Sequence, residues 1–355
     1  MSKKEFDLLV FIGRFQPFHN GHQAVIDEAL KRADEVLVII GSCGGPRTIR
    51  NPFTYGERHA MIRASNDDAY EDGRLCIDGV DDYPYNDSKW LSEIQLIIDD
   101  DTNLSNCNRN LNNLDNPKWI KKVGLIGHSK DNTSYYLKMF PGMDSVAVSD
   151  YKGINATNIR EDLLSFPNEK YYKRDMPNPA QKVIENIINK DYWALLKQEY
   201  EMIQEYKDSW KYAPYPPTFV TTDAVVIQSG HILLVRRGHA PGIGQWALPG
   251  GFLNQTETLL DGCIRELREE TRLKVPAPVL KGSIKGQHTF DDPNRSSRGR
   301  TITNAFYFEL TPMEELPKVK GSDDAIEAKW FKLSELDSKV MFEDHYGIID
   351  YFVGL

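Results

Sequence analysis

The stretch Gly13-Arg14-Phe15-Gln16-Pro17-Phe18-His19-Asn20-Gly21-His22 constrains the first half of this chain more than any other. It follows the apolar run Leu8-Leu9-Val10-Phe11-Ile12 and precedes a helix-like run from Ala24 to Leu30, so a first strand turns into a first helix there. At such a junction the end of a parallel strand meets the free N–H groups of a helix N-terminus, which favour an anion. Pro17 stiffens the turn, Arg14 adds a permanent positive charge, and His19 and His22 stand three residues apart on the anion site.

The same alternation continues. Val36 to Ile40 is a continuous apolar run bounded by Gly41, the mark of a strand buried on both faces of a doubly wound sheet. After it come Ser42, the Gly44-Gly45 pair, Arg50 and Arg58; the glycines let backbone approach a ligand, and the arginines supply forked donors for phosphate oxygens. For Arg58 a helix-surface residue paired with a carboxylate is the competing reading. A third strand, Leu75 to Val80, leads to Asn86 and Trp90, and the Asn- and Asp-rich segment from Asp99 to Pro117 reads as an irregular loop. A fourth strand, Lys122 to Ile126, brings Lys130 and Asp131 to the ligand edge of the sheet, and a fifth, Asp144 to Val148, leads to a helix opened by Thr157, with Arg160 one turn on.

The first stretch resembles the Gly-x-x-x-Pro-x-His-x-x-His signature of the nucleotidylyltransferases, and in its full wording the archaeal-type nicotinamide mononucleotide (NMN) adenylyltransferases. The segments Asn51 to Arg58 and Ile154 to Arg160 resemble further signatures of that family, with Asn155 where Ser is usual. The resemblance implies a Rossmann-like doubly wound parallel sheet. It also implies that Gly13, Arg14, Phe15, Ser42, Arg50, Arg58, Asn86, Trp90, Lys130, Asp131 and Thr157 contact ATP or NMN, while His19, His22 and Arg160 act on the reacting phosphates. Trp90 suits a cationic pyridinium by ring stacking, although as a lone Trp before an apolar helix it equally suits a core.

A run of amphipathic pattern from Pro179 to Tyr206 closes the first domain, and Pro214, Pro216 and Pro217 interrupt the chain. The expected organisation is a first domain over 1–205, a linker over 206–217 and a second domain over 218–355. The latter opens with a hairpin, Phe219 to Ile227 and His231 to Arg236 around Gln228-Ser229-Gly230. A helix is expected from Thr256 to Arg272, with Leu260, Cys263, Ile264 and Leu267 as its buried stripe. Glu266, Glu269 and Glu270 then crowd a neighbouring face, which favours a shared divalent cation. With Gly251, Glu257 and Arg265 these residues resemble the Nudix box, Gly-x5-Glu-x7-Arg-Glu-U-x-Glu-Glu-x-Gly-U, except that Arg272 stands where the box has Gly; a different helix C-cap is therefore expected.

The Nudix resemblance implies an α/β/α domain with a mixed sheet. It assigns Mg²⁺ or Mn²⁺ to Glu266, Glu269, Glu270 and Gly250, and catalysis to Glu270. The general base is expected at Asp324, with Asp291 and Asp292 competing. Together the two halves resemble the bifunctional NMN adenylyltransferase and ADP-ribose pyrophosphatase enzymes, implying ATP, NMN and ADP-ribose as substrates. Two rivals stay open: a second domain that senses or docks a metabolite without cleaving it, and a first domain acting on phosphopantetheine or a choline-type phosphate.

The chain of 355 residues, 40% apolar and 27% charged, has the composition of a folded globular protein. A net charge of -9 argues against nucleic-acid partners, and its four cysteines without metal spacing suit a reducing compartment. No segment reads as a leader or a membrane span, so a cytoplasmic protein without a membrane partner is expected; a homo-oligomer is compatible with the sequence.

Overall fold

The computed structural model describes residues 4–112, 122–128, 137–165 and 170–355. They divide into two compact units, Met1–Lys197 and Gln198–Leu355.

In the first unit, β1 (Phe6–Gly13) is flanked by β2 (Ala33–Ile40) and β4 (Val123–His128). With β3 (Leu75–Gly79) and β5 (Asp144–Val148) they make a sheet in the order β3-β2-β1-β4-β5, parallel at every pairing. Leu8, Leu9 and Val10 are fully buried, which is why the strand reads as an unbroken apolar run. The helices α1 (Asn20–Arg32), α2 (Tyr55–Ser65), α3 (Asp67–Glu71), α4 (Asp87–Asn112) and α5 (Ala156–Leu164) accompany the sheet, followed by α6 (Lys170–Asp175), α7 (Asn178–Ile187) and α8 (Asp191–Ser209). The strand order reverses at β1, so the carboxyl ends of β1, β2 and β4 lie side by side at the switch point where open α/β sheets bind ligands.

One expectation is corrected. Residues 99–112 are helical, because α4 runs on through the Asn- and Asp-rich stretch. Ile94 and Ile98 are buried in the core and anchor the helix, and a helix once nucleated extends through poor formers at a cost of at most about 0.7 kcal/mol each.

In the second unit, β6 (Phe219–Gln228) and β7 (His231–Arg237) form the expected hairpin, turning through Ser229 and Gly230 at φ 49° and 71°. After β8 (Trp246–Ala247), β9 (Gly250–Phe252), α9 (Leu259–Thr271) and α10 (Ala277–Gly282) come β10 (Ile284–Phe290), β11 (Thr301–Glu309), β12 (Ala325–Lys332) and α11 (His345–Val353). The sheet runs β10-β11-β6-β7-β12 and is mixed, with β11 and β6 parallel. Cys263, Ile264 and Leu267 on α9 pack with Val226, Leu233 and Phe308 of the sheet, as the stripe predicts. Helix α8 extends to Ser209, so the first residues of the expected linker are helical. Among the described residues no helix is long and apolar enough to cross a membrane.

Arg272 caps α9 in the left-handed conformation, φ 53° and ψ 23°. The different C-cap expected from the missing Gly is therefore not adopted; the backbone keeps the turn a glycine would take and carries an Arg side chain in it. Arg272→Gly is expected to raise stability by about 1 kcal/mol, the cost of holding an L side chain there, read as a higher urea midpoint.

Candidate active sites

The first site begins at the N-terminus of α1. Nδ1 of His19 accepts the N–H groups of Gly21 and His22 at 3.1 and 3.3 Å, and Nδ1 of His22 accepts the N–H of His19 at 3.3 Å. A backbone N–H can only donate, so both Nδ1 atoms are unprotonated and the ring protons sit on Nε2. The imidazoles stack at 3.6 Å with 16° between their planes, backed by Phe15 and Phe18. Burial, reinforced by His19 and His128, holds His22 well below the ordinary imidazole range, so at neutral pH it is an uncharged donor. Gly13 is required where it stands: a Cβ would lie 2.9 Å from the Phe15 ring.

Arg160 donates to the Gln16 carbonyl at 2.6 Å and to the Thr157 hydroxyl at 3.1 Å, which fixes α5 against the loop after β1. Its pKa is lowered to about 10, first by burial and then by the positive charges of Arg14 and Arg50. Arg160 and the two guanidiniums whose charge it feels, Arg14 and Arg50, gather positive charge suited to a polyanion. Ser42, at φ 54° after β2, is buried with its Oγ unpartnered among the described residues.

Arg58 does something other than the expected phosphate contact. It is 1% exposed and donates to the carbonyls of Arg14, Gly41 and Ser42 at 2.7, 2.5 and 2.8 Å, and to Thr54 at 3.3 Å. It therefore ties the loops after β1 and β2 together from beneath. The amide of Gln16 does similar work, exchanging two hydrogen bonds with the Phe53 backbone. Asn86 accepts the Lys89 N–H at 3.0 Å at the start of α4, and Trp90 packs, partly exposed, on the core beneath the sheet. Lys130 and Asp131 lie outside the described residues.

The second site is a cavity of 330 Å³ in the second unit, lined by Asp223, Glu266, Glu270, Asp323 and Asp324 together with Arg237, Arg265, Arg295 and Arg298. Helix α9 supplies Glu266 and Glu270; a Cβ at Gly251 would lie 2.6 Å from the Glu266 carboxylate, and one at Gly250 would lie 2.5 Å from that of Asp223. The glycines are therefore the space the acids occupy. Glu270 accepts the Gly250 N–H at 3.0 Å, and burial, assisted by the Glu266 charge, pushes its pKa up to about 8.

Glu269 departs from the expected set: it is half exposed and bound to Arg265 at 2.9 Å, and it does not line the cavity. Arg265 also holds Glu266 at 2.8 Å and Glu257 at 2.6 Å, so one guanidinium balances three acids. Among the described residues no three acidic, His or Cys side chains are gathered closely enough to hold an ion as they stand. The donor chemistry nonetheless fits a hard divalent cation, since Glu266 and Glu270 bring carboxylate oxygens into one cavity and, among the described residues, no cation lies within bonding distance of Glu270.

Asp324 lines the cavity, exposed, 3.6 Å from His239; Asp291 and Asp292 do not line it. Arg298 lies over the Phe252 ring at 5.1 Å with its Nε buried and unpartnered among the described residues. Asp223, Arg237, Glu343 and His345 also line the cavity and carry no sequence motif that marks them.

Residues 10–162 match the cytidylyltransferase-like family model and residues 217–352 the NUDIX domain model. The chain is 34% identical over 197 residues to the nicotinamide/nicotinic acid mononucleotide adenylyltransferase of Acinetobacter baylyi, covering 55% of this chain and 94% of that protein. It is 34% identical over 145 residues to the ADP-ribose pyrophosphatase of Methanocaldococcus jannaschii, covering 41% of this chain and 79% of that protein. A crystal structure of a bifunctional NMN adenylyltransferase/ADP ribose pyrophosphatase from Francisella tularensis, complexed with AMP and a Mn ion, superposes with a TM-score of 0.85 at 34% identity, covering 98% of each chain.

Two stability measurements follow from this geometry. Arg58→Ala, which takes the side-chain donor from the carbonyls of Arg14, Gly41 and Ser42, is expected to lower folding stability by at least about 3 kcal/mol in urea, whereas Arg50→Ala stays within about 0.5 kcal/mol. For Glu270 the folded pKa lies above the ordinary 4.5, so its contribution is fully present below 4.5 and is lost as pH rises through about 8. With chelator present, Glu270→Gln is therefore expected to melt higher than the parent at pH 8 to 9 and to match it near pH 4.

Proposed function

We propose that this chain, which belongs to the family of the bifunctional NMN adenylyltransferase/ADP-ribose pyrophosphatases, makes NAD from NMN and ATP in its first half and cleaves ADP-ribose in its second. Residues 1–205 would form the transferase and 218–355 the hydrolase, with 206–217 between them. The names of the relatives favour NMN over phosphopantetheine or a choline-type phosphate as acceptor, and hydrolysis over a sensing role.

In the transferase, an oxygen of the NMN phosphate attacks the α-phosphorus of ATP, and the bond to the β-phosphate bridging oxygen breaks to release pyrophosphate. The observation that carries this reading is the stacked imidazole pair at the N-terminus of α1, each ring with its proton on Nε2, on a loop whose Gln16 carbonyl is held by Arg160. Phosphoryl chemistry of this kind needs positioning and charge stabilisation with no covalent protein intermediate. His19 and His22 would donate to the reacting phosphate, and Arg14, Arg50 and Arg160 would hold the departing pyrophosphate. Gly13, Phe15, Ser42 and Thr157 shape the pocket around it, while Asn86 and Trp90 stay the candidates for the nicotinamide.

In the hydrolase, water attacks one phosphorus of ADP-ribose, and AMP and ribose 5-phosphate leave. Glu266 and Glu270 would hold Mg²⁺ or Mn²⁺, with the Gly250 carbonyl and, once drawn away from Arg265, Glu269 completing the oxygen set; such an ion neutralises diphosphate charge and lowers the pKa of a bound water. Arg298 and Arg237 would receive the diphosphate, and Asp324 would accept the proton from the attacking water.

Separate sites predict separable losses. Glu266→Gln with Glu270→Gln is expected to lower AMP release from ADP-ribose and Mg²⁺ by more than about 100-fold while leaving NAD formation near its parent rate, and His22→Ala to do the reverse. Equal loss of both activities in either variant would overturn the assignment.

A further inference from the structure

We propose that His345 serves the second cavity as a fixed neutral hydrogen-bond donor, offering its Nε2–H to a phosphate oxygen of the bound diphosphate. The proposal rests on the hydrolase reading of that cavity.

The tautomer follows from the hydrogen bond. Nδ1 of His345 accepts the N–H of Leu248 at 2.9 Å, and that partner can only donate, so the ring proton sits on Nε2. The residue is 6% exposed and lines the cavity, which makes Nε2–H the one polar atom its ring has left to offer there. Both ends of the ring's support are rigid. Leu248 begins the Leu248-Pro249-Gly250 turn, whose Gly250 N–H is bound to Glu270. On the other side Asp344 holds Arg295 in a buried bidentate pair at 2.9 and 3.0 Å, and Phe342 packs edge-on against the imidazole at 5.3 Å.

The charges around the ring keep it uncharged. Burial pushes its pKa down to about 3; the Asp344 carboxylate opposes the shift, and Arg295, Arg237 and Arg298 add to it. The cavity already holds cationic arginines and anionic carboxylates. A neutral donor between them orients a phosphate oxygen without drawing the metal-binding acids toward itself, as a histidinium would.

Two substitutions divide the ring's functions. Asparagine places an oxygen near the position of Nδ1 and has nothing at Nε2; glutamine reaches the Nε2 position with an N–H but leaves Leu248 without its acceptor. His345→Asn is expected to melt like the parent and to lower kcat/KM for ADP-ribose by about 10- to 100-fold. His345→Gln is expected to melt lower yet to keep most of the activity at temperatures where it is folded. In a ¹⁵N-edited spectrum of the parent with Mg²⁺, the His345 Nε2 resonance should move when ADP-ribose is added. A His345→Asn variant of parent activity, with an Nε2 resonance indifferent to ligand, would overturn the proposal. If the parent protein releases no AMP, the hydrolase reading fails instead; ADP-ribose affinity by calorimetry then decides His345, equal affinity of parent and His345→Asn overturning it and weaker affinity of the variant supporting it.

Discussion

A backbone N–H that its own helix or sheet leaves unpaired must find an acceptor, and in both halves of this chain the acceptor is a side chain of the candidate site. At the start of α1 the orphan N–H groups of Gly21 and His22 go to the imidazole of His19. In the second unit the Gly250 N–H goes to the carboxylate of Glu270 and the Leu248 N–H to the imidazole of His345. The main chain thereby fixes which nitrogen of each of these rings carries the proton and where the buried acid points. Removing such a side chain unsettles fold and chemistry together, which is why the paired Asn and Gln exchange is more informative than truncation.

The two sites solve opposite electrostatic problems in a chain of net charge -9. In the first, Arg14, Arg50 and Arg160 gather positive charge that an incoming polyphosphate would relieve. In the second, acids and arginines alternate around one cavity, and Arg265 holds three glutamates through a single guanidinium. A cation entering there competes with Arg265 for Glu266 as well as with the proton on Glu270, so its binding is tied to local rearrangement of side chains and to pH.

What was legible in the sequence was what lies close together along it. His19 and His22 share one helical turn, Thr157 and Arg160 another, and the stripe and acidic face of α9 follow from its period alone. The parallel sheet was legible from unbroken apolar strands alternating with helices. Arg58 was misread because its donors go to carbonyls of residues 14, 41, 42 and 54, a grouping that only the converged loops create. Asp223, Arg237, Glu343 and His345 were invisible for the same reason: they come from β6, β7 and the stretch that opens α11, and no sequence pattern links those three places. Glu269 satisfied the box, yet its place on the helix sets it on the exposed side with Arg265. The continuation of α4 escaped notice because composition weighed against it while buried isoleucines upstream supported it.

In genetic and proteolytic terms, helix α8 is where the joint between the halves matters. The partition at Lys197 and Gln198 falls inside this helix, so the chain there is hydrogen-bonded backbone. A protease that requires an extended segment finds none at that point, and a gene split there would leave each stump with unsatisfied helix-end groups. A cut that severs no helical bond falls after Ser209, among the prolines at 214, 216 and 217, and it parts Glu199 and Tyr206 from Gly242 and Phe219, which they bond and pack against.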